Sequence, residues 1–254
     1  MRTVFAIFFL ALACVSSARA QSESAVTRVA DGFDFPVGKP DALGYHKARG
    51  FQANGHLGED WNGNNGGDSD MGDPVCAIGN GIVVFSRDVH LGWGNVVIVR
   101  HAFYENGQLH CVDSLYGHLN NVLVSEGQSV SRGERVGTIG TAHGMYAAHL
   151  HFEIRKNLAI GMNRAAFARD FSSYYDPTEF ICAHRKLDTV PSPTALVAIN
   201  TFSTQPQSYT APDDETVLTA SNSTRIQATR TTTVARHTPF KVDRFSDVRA
   251  DLKF

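Results

Sequence analysis

Asn95-Val96-Val97-Ile98-Val99-Arg100 is the stretch that decides the fold class. It is a short β-branched run bounded by Gly and Asn, which reads as a strand. The same reading extends outward on both sides. Gly81-Ile82-Val83-Val84-Phe85 precedes it, and Asp113-Ser114-Leu115-Tyr116 and Asn121-Val122-Leu123-Val124 follow. Turns at Glu126-Gly127-Gln128 and Ser131-Arg132-Gly133-Glu134 lead into Arg135-Val136-Gly137-Thr138-Ile139-Gly140, and the last strand is expected at His149-Leu150-His151-Phe152-Glu153-Ile154. No stretch sustains apolar residues at spacings of three and four. The chain is therefore expected to be mainly β, an antiparallel sheet with short connections. The one helix is placed around Asn163 to Phe171.

The 254 residues are 43% hydrophobic and 19% charged, which suits one globular domain with appendages. A net charge of -2 without Lys/Arg blocks gives no electrostatic footprint for nucleic acid, which is excluded as a partner. Arg2, the apolar run Val4 to Ala13 and Ala18-Arg19-Ala20 form an export signal ending in a cleavage site. Residues 1–20 are read as a signal peptide, and the protein as periplasmic or extracellular. A competing reading makes Cys14 the lipid-modified first residue of a lipoprotein, although Ala11-Leu12-Ala13 is a poor run before such a cysteine. No later segment approaches the roughly 20 apolar residues of a spanning helix. Cys76, Cys111 and Cys182 would remain after cleavage, so at most one internal disulfide can form. From about Asp188 the composition turns to Thr, Ser, Pro and Gln, which is expected to give a flexible tail over residues 186–254. Residues 21–50 read as an N-terminal extension and residues 51–185 as the functional domain.

Three local patterns carry chemistry. His149 and His151 lie two apart in an expected strand, which puts both imidazoles on one face about 6.5 to 7 Å apart. Glu153 continues that face and is suited to orient an imidazole. His56 and Asp60 lie four apart in the Gly-rich stretch Gly55-His56-Leu57-Gly58-Glu59-Asp60. Imidazole and carboxylate are both zinc ligands, and two such groups with one more histidine leave a position open for water. Taken alone, each pattern also fits solvated histidines or a polar turn. His118, in Leu115-Tyr116-Gly117-His118-Leu119, is a lone histidine at a strand end. His143 in the loop 140–148 reads as a surface histidine, and Asp68, Asp70 and Asp73 as a solvated acidic loop.

In this order, His-Leu-Gly-Glu-Asp (56–60), Ser-Leu-Tyr-Gly-His-Leu (114–119) and His-Leu-His-Phe-Glu (149–153) closely resemble the lysostaphin and LytM type zinc metallopeptidases of peptidoglycan. The likeness extends through Gly72-Asp73-Pro74-Val75, Gly92-Trp93-Gly94-Asn95 and Glu126-Gly127-Gln128, over about residues 50 to 158. It implies one zinc ion held by His56, Asp60 and His151, with His118 and His149 as catalytic histidines, in an antiparallel β domain whose sheet forms a groove for a peptide of peptidoglycan. No H-E-x-x-H helix supplies a glutamate base. His149 is therefore expected to be the general base and His118 the donor to the oxyanion, although the two could exchange roles. The loop Gly140-Thr141-Ala142-His143-Gly144-Met145-Tyr146-Ala147-Ala148 departs from the usual family pattern. Relatives that have lost zinc ligands act as regulatory modules activating cell-wall amidases, the alternative reading. All five positions are intact here.

Overall fold

Asn106 and Gly107 both adopt positive φ, 50° and 77°, and so close a two-residue turn between the two longest strands. The computed structural model describes residues 23–187 and 192–202. Twelve strands follow in chain order: β1 Ser24–Arg28, β2 Tyr45–Arg49, β3 Glu59–Gly63, β4 Pro74–Cys76, β5 Gly81–Asp88, β6 Asn95–Glu105, β7 Gln108–Leu119, β8 Ser129–Val130, β9 Arg135–Thr138, β10 Leu150–Arg155, β11 Tyr174–Tyr175 and β12 Thr194–Ala198. Eight of them make one antiparallel sheet in the order β2-β3-β10-β7-β6-β5-β8, with β11 pairing β10. The pairs β4-β9 and β1-β12 stand apart from it. The mainly β, antiparallel architecture expected from the sequence is the one observed.

The strand interiors are buried on both faces because two apolar clusters cover the sheet. Val97, Val99, Tyr116, Leu150, Phe152 and Ile154 belong to one cluster, and Val96, Ile98, Leu115 and Trp93 to the other. This explains the unbroken apolar run of β6, since alternation is needed only where one face meets water.

Several expectations are corrected. The helix placed over Asn163 to Phe171 is a single 3-10 turn, Arg164–Ala166. Its first residue is drawn inward, with the Arg164 guanidinium 5.2 Å from the Trp93 ring centroid, and a regular helix gives way to that contact. The α-helix lies later, at α1 Pro177–Ala183. Asp176 caps it by accepting from the Glu179 amide at 3.0 Å, and Pro177 occupies its first turn. The strand expected at Asn121 to Val124 is reduced to a single bridge, Val122 to Gly137.

The described part of the expected N-terminal extension, residues 23–50, packs on the domain: Phe33 is fully buried and meets His101, Phe103 and Phe180 edge-on. Part of the expected tail is β12, which pairs with β1 in register Val26 to Leu196. Ala195 and Val197 of β12 join the second apolar cluster, and the Ala198 carbonyl accepts from Arg100, which is locked by two hydrogen bonds to its cross-strand neighbour Asp113. The expected signal peptide, Cys14 and the remainder of the tail lie outside the described residues.

The acidic loop is exposed over residues 64–69, Asp68 included, while Asp73 is half-buried and Asp70 buried, and each carboxylate braces a neighbour. Asp70 accepts from the Gly63 amide, Asp68 from the Ala148 amide and Asp73 from the Tyr45 hydroxyl. Cys76, Cys111 and Cys182 are free thiols. Among the described residues no helix is long and apolar enough to cross a membrane.

Candidate active site

β10 runs between β3 and β7, and its register decides what meets at the centre. His151 stands opposite Asp60 on β3 and opposite Gly117 on β7. Asp60 is thus a strand residue, not part of a turn. His56 reaches the same point from the loop before β3. Gly58 lets that loop lie against β10: a Cβ there would sit 2.4 Å from the Phe152 carbonyl oxygen and 2.8 Å from Glu153 Cγ.

Three donor atoms converge. His56 Nε2 is 3.1 Å from His151 Nδ1 and 3.1 Å from Asp60 Oδ1, and His151 Nδ1 is 2.9 Å from the same oxygen. The outer nitrogens are already committed. His56 Nδ1 donates to the Gly50 carbonyl at 3.0 Å, and His151 Nε2 donates to Glu153 Oε1 at 3.0 Å. Rings so held aim both inner nitrogens, together with a carboxylate oxygen, at one buried point, where a bound cation would take the place of a proton.

Without a cation, His151 itself carries the compensating charge. Burial opposes charge on His151, but the Asp60 and Glu153 carboxylates outweigh it and push its pKa up to about 10. Burial likewise opposes charge on Glu153, which Arg155, Arg164 and His151 nonetheless hold well below the usual carboxylate range. Glu153 therefore stays ionised and accepts from His151 Nε2, which keeps Nδ1 turned toward Asp60 and His56. The donor set of two imidazoles and one carboxylate fits a zinc ion and leaves a coordination position for water or substrate. His56, Asp60 and His151 are the residues that could hold it.

His118 and His149 flank this point. Their ring centroids are 4.8 Å apart, and that of His118 is 5.5 Å from that of His151. His149 precedes β10 rather than lying in it, joined to Gly140 by one bridge. Its Nδ1 donates to the Ala147 carbonyl at 2.8 Å, and its Nε2 lies 3.9 Å from Asp60 Oδ1. His118 has a left-handed backbone, φ 63°, unusual for a residue with a Cβ, and its Nδ1 donates to the Trp93 carbonyl at 3.3 Å. The structure brings together all five residues singled out in the sequence.

Two further residues border the centre and carried no role in the sequence reading. The buried Trp93 ring meets His151 edge-on at 5.6 Å, and the Tyr146 ring lies 4.9 Å from His118. The Gly92-Trp93-Gly94 setting was a usable signal for the first. Tyr146 lies in the loop that departs from the usual family pattern, so nothing pointed to it.

The chain matches peptidase family M23 over residues 54–163, a range that contains all five of these residues. It is 36% identical over 84 residues to lipoprotein NlpD of Yersinia enterocolitica, covering 33% of this chain and 78% of that protein. The chain belongs to peptidase family M23. Over 84 residues this family member is also 38% identical to the peptidoglycan DD-endopeptidase ShyA of Vibrio cholerae, covering 33% of this chain and 18% of that much longer protein. Among solved structures it is similar to the antimicrobial peptidase lysostaphin from Staphylococcus simulans. The identity there is 28% and the TM-score 0.40, over 55% of this chain and 50% of that one. β1, β2, β11, α1 and β12 lie outside the residues matched to the M23 family.

Proposed function

We propose that the chain is an exported zinc metalloendopeptidase that hydrolyses a peptide bond in the stems or cross-links of bacterial peptidoglycan. One observation carries the reading: two oriented imidazoles and a carboxylate present their lone pairs to one point, with two more histidines beside it. A metal peptidase needs that arrangement together with a base and an oxyanion donor. Membership of a peptidase family and the likeness to a DD-endopeptidase support the substrate class.

The chemistry a zinc ion supplies at such a centre is Lewis acidity toward the scissile carbonyl and toward a water. His56, Asp60 and His151 would hold it, and Glu153 and the Gly50 carbonyl keep the two imidazoles in the tautomers that bind a cation. His149, with its Nδ1–H anchored on Ala147, offers Nε2 to take the proton of the attacking water and pass it to the leaving amine. His118, anchored on the Trp93 carbonyl through Nδ1, offers its other nitrogen as the donor to the developing oxyanion. The buried walls, Trp93 and Tyr146 among them, exclude bulk water and so strengthen each of these contacts.

The test is digestion of purified peptidoglycan by the full chain, with products read by mass spectrometry. Stem peptides split at an internal bond, with a new amine and carboxyl terminus, are expected. Intact stems released only when an amidase is added would instead establish the amidase-activating module.

A further inference from the structure

A second group of side chains that could hold a metal ion lies outside the centre, and the peptidase reading leaves these three residues without a role. Asp88 ends β5, His90 lies in the turn between β5 and β6, and His143 comes from the loop ahead of β10. Asp88 Oδ2 is 3.0 Å from His143 Nε2 and 3.2 Å from His90 Nδ1, and one donor atom from each of the three residues lies within 4.8 Å of the others. The His90 amide donates to the other carboxylate oxygen at 3.0 Å, which holds Asp88 so that Oδ2 faces both rings. The ring centroids are 5.9 Å apart. All three side chains are open to solvent, at 32% for Asp88, 73% for His90 and 50% for His143. A cation can reach them without any movement of the fold.

We propose that Asp88, His90 and His143 form a second, surface site for a divalent transition-metal ion such as Zn2+. Two imidazoles and one carboxylate select borderline metals over Mg2+ and Ca2+, which take oxygen ligands. The site is weaker than the buried one, because exposed side chains lose more freedom on binding than buried, pre-oriented ones. Its position gives it a consequence. The two loops it joins already touch: a Cβ on Gly94 would lie 2.8 Å from Ala142 Cα, the Trp93 carbonyl accepts from His118, and the Ala142 amide donates to the His118 carbonyl. An ion bridging Asp88, His90 and His143 fastens the loops carrying Trp93 and Tyr146 to each other beside His118. The inference stands on these residues alone and holds whether or not the chain is a peptidase.

The experiment is equilibrium dialysis of the chelator-stripped full chain against a Zn2+ series, with bound metal counted by mass spectrometry. Two ions per chain are expected, the second at higher free zinc. His143→Gln and Asp88→Asn should each lose the weaker ion and keep the tighter one, and His151→Ala should do the reverse. Melting curves in chelator that match the parent chain establish that the two surface variants are folded. Uptake of a single ion by the parent chain, or a weaker ion retained in both folded surface variants, would overturn the proposal. Displacement of the weaker ion by millimolar Mg2+ would overturn the ligand class.

Discussion

His151 on β10 and Asp60 on β3 face each other across the sheet, Nδ1 to Oδ1 at 2.9 Å, and behind His151 its other nitrogen rests on Glu153 at 3.0 Å. The imidazole is thus held from both sides by carboxylates, one aimed at the metal point and one away from it. Glu153→Gln removes the outer charge while keeping the shape. Loss of such an orienting partner lowers metal affinity about 10- to 100-fold. Competition with a chromogenic chelator should show a drop of that size, and an unchanged affinity would mean that Glu153 serves only its arginine neighbours.

The two histidines two apart in sequence should separate in function. His151→Ala is expected to abolish retention of the tight zinc ion and turnover together. His149→Ala should retain that ion and lose about 10²- to 10⁴-fold in kcat, the usual contribution of a general base. Zinc loss in both variants would mean that the ligand assignment is wrong.

Phe33 tests whether residues before the matched family region are part of the folding unit. It is fully buried and meets Phe103 and Phe180 edge-on at 5.5 Å and 5.1 Å. Phe33→Ala should destabilise the chain by about 3–5 kcal/mol in urea unfolding, as large-to-small core changes do. A loss below about 0.5 kcal/mol, the range of ordinary surface changes, would show that this segment adds nothing to the folding unit.

His101 gives the pH dependence a sign. It is fully buried, between the Asn80 carbonyl and the Ser114 hydroxyl, and burial pushes its pKa down to about 4, with the Asn80 carbonyl only partly opposing. Above the unfolded value of about 6.5 the ring is neutral in both states and adds no pH dependence. As the pH falls from there toward 4, the unfolded chain takes up a proton that the folded chain refuses, so stability is lost, on the order of 3 kcal/mol in all. Unfolding free energies between pH 7 and 4.5 should fall more steeply for the parent chain than for His101→Gln. Parallel slopes would assign the acid sensitivity elsewhere.

The antiparallel sheet was legible because β-branched runs such as 96–99 and the turns between them act locally. The five residues of the centre were legible because their order and spacing are fixed by a family pattern. What stayed hidden depends on contacts distant in sequence. Arg164 is drawn onto Trp93, which ends a helix that local propensity favours at Asn163 to Phe171. β12 is the apolar run Ala195-Leu196-Val197-Ala198, a local signal masked by the Thr, Ser and Pro around it, and it is held because Ala195 and Val197 find the second apolar cluster and the Ala198 carbonyl accepts from Arg100. Asn106-Gly107 was a readable hairpin signal that extends β6 and β7 beyond the runs first taken as strands. Tyr146 had no such signal, since its place beside His118 follows from the path of a loop.

The central claim is that the point shared by His56, Asp60 and His151 holds a zinc ion on which peptide hydrolysis depends. Its most direct test is stepwise return of zinc to the chelator-stripped full chain while cleavage of a purified muropeptide is followed. Turnover should rise from zero in proportion to the first equivalent bound and stay at zero in His151→Ala. Cleavage that persists in the stripped chain, or that His151→Ala performs at the parent rate, would contradict the account.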